Sequence, residues 1–404
     1  MFGWEFPPFF AGGVGVVCFE MVRALSKAGM DVTYVMPFGP KNITSPYAKV
    51  LIAENILPGV TVKTIPTMMQ AYMSEQEYDQ SYQEYLRNSD VDSTKVLYSS
   101  NLWLEVQRFA KRATLIARHE KFDVIHAHDW MTFPAAVEAK KISGKPLVVH
   151  IHNTIYDRYL GSGGEAEKEI ELMGMHYADK IVAISYFVKN RLVNDYHISP
   201  ERIEVIHNAA IAMDDNISYR NATIQDKDKV VLFAGRVTVQ KGPDYFVEAA
   251  KKVLDKNPNV KFILAGTGDM LPRMINRAAE LGIVRNFIFP GFYSREDAER
   301  LFSMADVFVM PSVSEPFGIV PLEAMSKSKP VIISKQSGVA EIVHHALKVD
   351  FWDVDDIANK ILAVLNYPSL QQHLGHSGKI ELKNITWDEF ARKTMDLYYR
   401  LVIP

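Results

Sequence analysis

The stretch VVLFAGRVTVQKGPDYFVEAAKKVLDKNPNVKFILAG, residues 230–266, contains one complete strand–helix–strand unit. It begins and ends with short apolar, β-branched runs that barely alternate with polar residues, as is typical of strands buried on both faces of a sheet. Between these runs, residues 242–257 carry apolar side chains at helical spacing. Two strands joined by a helix pair in parallel through a right-handed crossover. The stretch therefore predicts one unit of a parallel sheet covered by helices.

The same pattern recurs from end to end of the chain, in two series of five strands. The predicted strands are 31–37, 122–128, 146–152, 180–185 and 203–208, then 230–236, 260–266, 286–291, 306–311 and 330–334. Residues 209–229 are polar and without periodicity, and they are predicted to be a linker. We therefore expect an α/β fold with two doubly wound, Rossmann-like domains, 1–208 and 230–385, which face each other across a cleft. The final helix, within 386–404, would pack back onto the first domain.

Composition limits the classes of function. The chain has 404 residues, of which 48% are hydrophobic and 23% charged, as expected for two globular domains. A net charge of -3 gives no signal for nucleic-acid binding. The single cysteine, Cys18, cannot form an internal disulfide and favours a reducing, cytoplasmic location. The basic residues of helix 103–121 are interpreted as a solvated face, with an anionic membrane surface as the alternative.

Glycines precede the first predicted helix, in FFAGGVGVV, residues 9–17. Gly12, Gly13 and Gly15 lie where backbone N–H groups at a helix start can approach a phosphate, and the helix dipole favours an anion there. A simple tight turn is the alternative interpretation.

Polar residues also follow the strands that contain IHAH and VVHIH. Asp129 comes after the first of these strands and His152 ends the second. Because ligands of doubly wound folds bind at the carboxyl ends of strands, Asp129 would suit a sugar hydroxyl or an acceptor. His126 and His128 alternate along one strand, but no third ligand follows at a fixed spacing, so no metal site is predicted. Hydrogen-bonded core histidines are the alternative.

In the second series, Arg236 ends a strand and Lys241 precedes the next helix. The helix dipole disfavours two cations at this position, and an anionic ligand would offset that cost. A diphosphate held by cations in place of a metal fits the pattern. A solvated basic turn is the alternative.

The segment SVSEPFGIVPLEAM, residues 312–325, contains two carboxylates that a helix start does not need. The helix is expected to begin within 316–318, with Glu315 near its N-cap. Glu323 would then lie inside the helix, where a carboxylate without hydrogen bonds is costly. Sugar and ribose hydroxyls would satisfy both carboxylates, and the free amides of residues 317–319 could donate to the same ligand.

Taken together, these motifs resemble one family. The glycine-rich loop, HAHDW, HNT, GRVTVQKG, GTGD, EPFGIVPLEAM and SGVAEIV occur in the order seen in retaining glycosyltransferases of family four, which have the GT-B fold. The segments GWEFPP, GGVG and HAHDW are typical of the glycogen and starch synthase branch. The resemblance covers nearly the whole chain, and its specific part is the combination of Arg236 and Lys241 with the pair Glu315 and Glu323.

The resemblance implies a role for each matching residue of the donor site. Arg236 and Lys241 would bind the donor diphosphate and stabilise it as it leaves, and Gly13 would contact the same phosphates through its backbone. Glu323 would hold the ribose hydroxyls, and Glu315 would hold the transferred sugar together with the amides after it. The donor-binding set is thus Gly12, Gly13, Gly15, Arg236, Lys241, Phe292, Phe317, Gly318, Ile319 and Glu323, in which Phe292 would flank the nucleobase.

For the acceptor side, the resemblance places Glu5 and Asp129 near the acceptor and His152 near the reacting carbon. The catalytic set that it implies is His152, Asp129, Glu315, Arg236 and Lys241. The expected reaction is retaining transfer of a hexosyl unit, most simply glucosyl, from ADP-glucose or UDP-glucose to the non-reducing end of an α-1,4-glucan. No metal and no cofactor are expected.

Two alternatives stay open at this point. One is the same chemistry on another acceptor, such as a sugar phosphate, a small molecule or a lipid. The other is a non-catalytic sensor of nucleotide sugars.

Overall fold

The computed structural model describes residues 1–7, 13–37, 45–53, 102–158, 164–211 and 228–403. The strands are β1 Thr33–Met36, β2 Lys49–Ile52, β3 Ile125–His128, β4 Leu147–Ile151, β5 Lys180–Ala183, β6 Ile203–Val205, β7 Lys229–Ala234, β8 Val260–Ala265, β9 Phe287–Gly291, β10 Val307–Met310, β11 Val331–Ser334 and β12 Leu347–Val349. The helices are α1 Gly13–Lys27, α2 Leu102–His119, α3 Phe133–Ser143, α4 Ile155–Arg158, α5 Glu165–Tyr177, α6 Tyr186–Asn194, α7 Pro243–Leu254, α8 Leu271–Glu280, α9 Arg295–Met304, α10 Val320–Ser326, α11 Val354–Asn366, α12 Pro368–Glu381 and α13 Trp387–Val402. Among these described helices, none is long and apolar enough to cross a membrane.

The first sheet is assembled around residue 2. Strands β3 to β6 form a parallel sheet in chain order, and β1 pairs in parallel with β2. Phe2 joins the two parts because it bridges to both Val35 and Ala127. Its N–H donates to the His126 carbonyl oxygen at 2.8 Å. A few residues at the start of the sequence thus take the place of a central strand.

The second sheet has the order β12-β11-β10-β7-β8-β9, and its neighbouring strands are all parallel. From β7 the chain runs outward through β8 to β9, and it then returns to β10 and runs outward on the other side. The direction therefore reverses between β7 and β10. In doubly wound sheets, this switch point opens the crevice in which ligands bind.

The last helix, α13, packs on the first sheet. Phe390 and Leu397 share an apolar core with α1, and the Tyr398 hydroxyl lies 2.6 Å from His126 Nδ1 on β3. Thr386 caps the helix by accepting a hydrogen bond from the Glu389 N–H. The division of the chain at 209–229 stays a prediction, because most of that segment lies outside the described residues.

The carboxyl ends of the strands in the two sheets face each other, as the contacts between the loops that follow these strands show. Ser185, after β5, donates through Oγ to the Pro316 carbonyl oxygen at 2.6 Å. The Glu341 carboxylate accepts hydrogen bonds from the first two amides of α6 at 2.8 and 2.6 Å, and it also contacts His207 Nε2 at 2.8 Å. Glu341 thus joins the second sheet's loops to a helix of the first.

The ten strands that the sequence predicts are all present, with ends that differ by up to three residues, and the expected fold class is confirmed. The strands β2 and β12 were not predicted; each is an edge strand of three or four residues, too short for a periodic pattern. The helix of the 312–325 segment was placed wrongly, because it begins at Val320.

Candidate active site

The turn after β7 packs closely against the turn after β8. Gly266 has a φ of +131°, and a Cβ there would lie 1.8 Å from the Gly235 carbonyl oxygen. A Cβ at Gly268 would lie 2.3 Å from the Val237 carbonyl oxygen. Val237 bonds to the second turn through both its N–H and its C=O. Arg236 lies within this pair of turns. Its backbone is therefore closely packed, while its side chain is exposed to solvent.

An ion pair joins the turn after β7 to the loop after β10. Lys241 Nζ lies 2.5 Å from Glu315 Oε2, and the Ser312 hydroxyl donates to the same oxygen at 3.3 Å. The Gln240 carbonyl oxygen accepts from the Val313 N–H at 2.9 Å, which fixes the two segments side by side. Glu315 is buried. Lys241 and Glu315 thus neutralise each other at the switch point of the sheet.

The helix after Glu315 begins at Val320, later than the expected 316–318. The placement was wrong because the chain first makes a turn at Gly318, with a φ of +99°, where a Cβ would crowd Glu315. Glu315 is therefore a loop residue, while Glu323 lies in the first helical turn. In the described part of the chain, no hydrogen bond engages the amides of Phe317, Gly318 and Ile319, so these donors are available to a ligand.

Glu323 is half-buried, and its environment disfavours charge. Burial raises the pKa of its carboxyl group to about 7, and the nearby Arg295 only partly opposes this shift. Tyr293, which lies close to Glu323, follows Phe292, and the Phe292 side chain is 75% exposed. A carboxyl group close to a loop that carries an exposed aromatic ring is an arrangement suited to a nucleoside.

At the start of α1, Glu5 occupies the helix N-terminus. Its Oε2 accepts a hydrogen bond from the Gly15 N–H at 3.2 Å, and the side chain is buried. A side chain added at Gly13 would meet no atom of the described residues within 4 Å, so none of these residues covers the backbone there. Gly12 lies outside the described residues. Of the predicted glycine set, Gly13 is therefore the described member open to a ligand, whereas the Gly15 amide already binds a carboxylate.

Asp129 and His152 are brought together between β3 and β4. Asp129 has a φ of +57°, uncommon for a residue other than glycine, and its Oδ1 accepts from the N–H groups of His152 at 2.8 Å and Asn153 at 3.4 Å. Burial raises the pKa of Asp129 to about 7 and lowers the pKa of His152 to about 3. His152 is therefore a neutral imidazole, and its Nδ1 has no partner among the described residues.

The predicted site residues thus form three groups in the structure. Lys241 contacts Glu315, Asp129 contacts His152, and Glu323 lies beside the loop of Phe292. Sequence reasoning missed the contacts that hold these groups, such as the Ser312 hydroxyl. It also missed that His150 and Tyr398 extend the histidine pair; the period-two alternation of histidines in both strands was the signal for His150.

Two doubly wound domains whose sheets face each other through the carboxyl ends of their strands, with a crevice at the switch point, define the GT-B class of architecture. Comparison with known proteins agrees. The sequence matches the profile of "Glycosyltransferase Family 4" over residues 11–210 and that of "Glycosyl transferases group 1" over residues 215–381.

Several proteins are similar along most of their length. An uncharacterised glycosyltransferase of Methanocaldococcus jannaschii is 31% identical over 69% of this chain and 75% of its own. A D-inositol 3-phosphate glycosyltransferase of Pseudarthrobacter chlorophenolicus is 26% identical over 97% of this chain and 91% of its own. A glycogen synthase of Mycobacterium tuberculosis is 24% identical over 98% of this chain and 93% of its own. The chain belongs to the glycosyltransferases.

Solved structures share the fold. Sucrose-phosphate synthase from Thermosynechococcus elongatus superposes with a TM-score of 0.71 at 20% identity, covering 97% of this chain and 94% of its own. HepE of Anabaena, in complex with UDP and glucose, superposes with a TM-score of 0.69 at 16% identity, covering 99% of this chain and 98% of its own.

Proposed function

We propose that this chain transfers a glucosyl unit from UDP-glucose or ADP-glucose to a hydroxyl acceptor, with retention of configuration and without a metal ion. The observation that carries the proposal is the pair of Lys241 and Glu315 at the switch point, with Arg236 on the adjoining turn. Without a ligand, one carboxylate neutralises the Lys241 ammonium. A diphosphate adds negative charge that both cations can bind, in the place that a metal ion takes in other sites.

The rest of the donor would lie on either side of this diphosphate. Glu323 and Phe292 would bind the nucleoside, since a carboxylate accepts two vicinal ribose hydroxyls and an exposed ring can stack on a base. The unpartnered amides of Phe317, Gly318 and Ile319 would donate to the sugar. From the facing domain, Gly13 at the start of α1 would approach the phosphates, where the helix dipole favours an anion.

In the reaction, the bond between the anomeric carbon and the diphosphate oxygen breaks as the acceptor oxygen bonds to the same face of the sugar. Negative charge grows on the leaving diphosphate, and Lys241 and Arg236 stabilise it. The leaving phosphate oxygen takes the acceptor proton. Glu5 and Asp129 both accept hydrogen bonds from backbone amides, so neither is assigned as a nucleophile.

For the acceptor, we propose a neutral polyol, of which the non-reducing end of an α-1,4-glucan is the leading candidate. The described residues on the acceptor side support this, because Glu5 and Asp129 are acidic and would disfavour a phosphate. The cation Arg158 is already ion-paired with Glu171 at 3.0 Å. A phosphorylated acceptor is the second candidate. It is favoured by the similarity to a D-inositol 3-phosphate glycosyltransferase.

A panel of UDP-, ADP- and GDP-sugars, tested against malto-oligosaccharides and against inositol and hexose phosphates, would test the proposal. We expect glucosylated malto-oligosaccharide by mass spectrometry, an α-linkage by NMR, and unchanged turnover in EDTA. If no combination of donor and acceptor gives hydrolysis or transfer, the result would favour a non-catalytic sensor of nucleotide sugars. Turnover that EDTA abolishes and Mg²⁺ or Mn²⁺ restores would contradict metal independence.

The pKa of Glu323 predicts how donor use depends on pH. The ionised carboxylate is the form that accepts ribose hydroxyls, and the pKa near 7 means that this form grows as the pH rises through 7. We therefore expect kcat/KM for the donor to rise between pH 6 and 8 and then level off. Glu323→Gln should lower kcat/KM and flatten this limb of the profile. An unchanged limb in the variant would assign the titration to another group.

A further inference from the structure

Four histidines project from one face of the first sheet. His126 and His128 on β3 and His150 on β4 alternate with Ile125, Ala127 and Val149, which belong to the core on the opposite face. His152, just after β4, continues the row. The four imidazoles are 4% exposed or less, and neighbouring ring centroids lie 4.2–5.2 Å apart. We call these four residues the imidazole cluster; it lies under α1 and α13.

The imidazole cluster contains a candidate ligand nitrogen that the protein does not satisfy. The Nε2 atom of His128 has no hydrogen-bond partner among the described residues. A buried nitrogen without a partner is destabilising and uncommon. Neutral imidazole nitrogens are also the commonest protein ligands for transition metals.

We propose that His126, His128 and His150 bind one divalent transition-metal ion, with Zn²⁺ as the expected species. The three side chains each offer a ring nitrogen within 4.8 Å of the others. His126 Nε2 and His150 Nδ1 are 3.1 Å apart. Two nitrogens bound to one tetrahedral zinc are separated by about 3.3 Å, so this pair already has nearly the spacing that a zinc ion needs, and His128 would have to move toward it. An all-imidazole set favours zinc or copper over magnesium or calcium.

Outer contacts support the same assignment. His126 Nδ1 lies 2.6 Å from the Tyr398 hydroxyl, and His128 Nδ1 lies 2.9 Å from His152 Nε2. Metal-binding histidines almost always have the second ring nitrogen held in this way, which fixes the ring orientation. Because Tyr398 belongs to α13, the ion would also fasten that helix to the sheet.

A second trio in the same region, Cys18 with His128 and His152, is less suited. The family resemblance places His152 near the reacting carbon of the sugar, and a role as a metal ligand would compete with that one. We therefore choose the three imidazoles. This choice rests on the proposed function, whereas the zinc-binding test below does not use the transfer reaction.

Zinc titration of the whole, chelator-stripped protein tests the proposal. By calorimetry we expect saturable binding of about one Zn²⁺ per chain, with a rise in Tm and no such response to Mg²⁺. His126→Gln and His150→Gln should each weaken zinc binding by about tenfold or more. Cys18→Ser and the exposed-site control His176→Gln should bind zinc as the wild type does.

The wild-type protein alone can overturn the proposal, even if a variant fails to fold. If it shows neither saturable zinc binding nor a zinc-dependent rise in Tm, the imidazole cluster is not a metal site. Zinc binding that Cys18→Ser removes and His150→Gln retains would place the ion at the other trio. Restoration of EDTA-treated enzyme by Zn²⁺, but not by Mg²⁺ or Mn²⁺, would point to this structural ion and leave the metal-free diphosphate site intact.

Discussion

Replacing Lys241 with alanine should lower kcat at saturating donor by about 10²–10³-fold. The Lys241 ammonium now faces Glu315 at 2.5 Å, and in the proposed reaction it meets charge that develops only as the diphosphate leaves. An interaction that strengthens toward the transition state affects kcat more than ground-state binding. Single-turnover kinetics with the donor would measure the effect.

Two further variants, Arg236→Ala and Lys252→Ala, distinguish an effect on catalysis from an effect on folding. Lys241→Ala leaves the buried Glu315 carboxylate without its cation, so its Tm should also fall. Arg236→Ala removes an exposed side chain and should lower kcat with little change in Tm. Lys252→Ala, on the exposed face of α7, is the matched control and should keep wild-type turnover. Wild-type kcat in both Lys241→Ala and Arg236→Ala would show that the diphosphate is bound elsewhere.

Gly266→Ala should be the most destabilising alanine substitution among the glycines of the turns after β7 and β8. It adds a Cβ at 1.8 Å from the Gly235 carbonyl oxygen and forces a φ of +131° on an L-residue. Backbone strain and overpacking together should lower the free energy of unfolding by roughly 2–6 kcal/mol. Urea denaturation measures this change, and donor affinity should fall with it because Arg236 lies on the same pair of turns.

Gly29→Ala is the control for this substitution. Gly29 also has a positive φ, +92°, but a Cβ there would meet no atom within 4 Å in the described part of the chain. Its cost should be limited to the left-handed conformation, about 1–2 kcal/mol. Equal losses in the two variants would mean that the turns after β7 and β8 are farther apart in solution than in the structure.

The sequence predicted the fold well because each buried parallel strand is a continuous apolar run that needs no partner to be recognised. The conformations of the loops were harder to predict. The expected helix start at 316–318 failed because Gly318 adopts a positive φ, and a local pattern cannot distinguish such a turn from a first helical turn.

Long-range contacts were the part that the sequence could not supply. Arg236, Lys241, Glu315 and Glu323 could be chosen by residue type and position after a strand. That Lys241 contacts Glu315, or that Glu5 reaches the Gly15 amide, depends on how separate turns pack. The same limit hid the imidazole cluster, since its two histidine pairs are 24 residues apart and meet through the register of β3 and β4.

The docking of α13 on the first sheet has a consequence for how the chain folds during synthesis. The apolar side of α1, with Val17, Met21 and Leu25, is covered by residues of α13 such as Leu397. About 200 residues separate β6 from the end of α13, so at ribosomal speed this covering helix emerges roughly 10–40 s after β6. During that interval the first sheet has an open apolar seam while the second domain is still being made. The second domain can therefore complete its core before the domain that precedes it in the sequence.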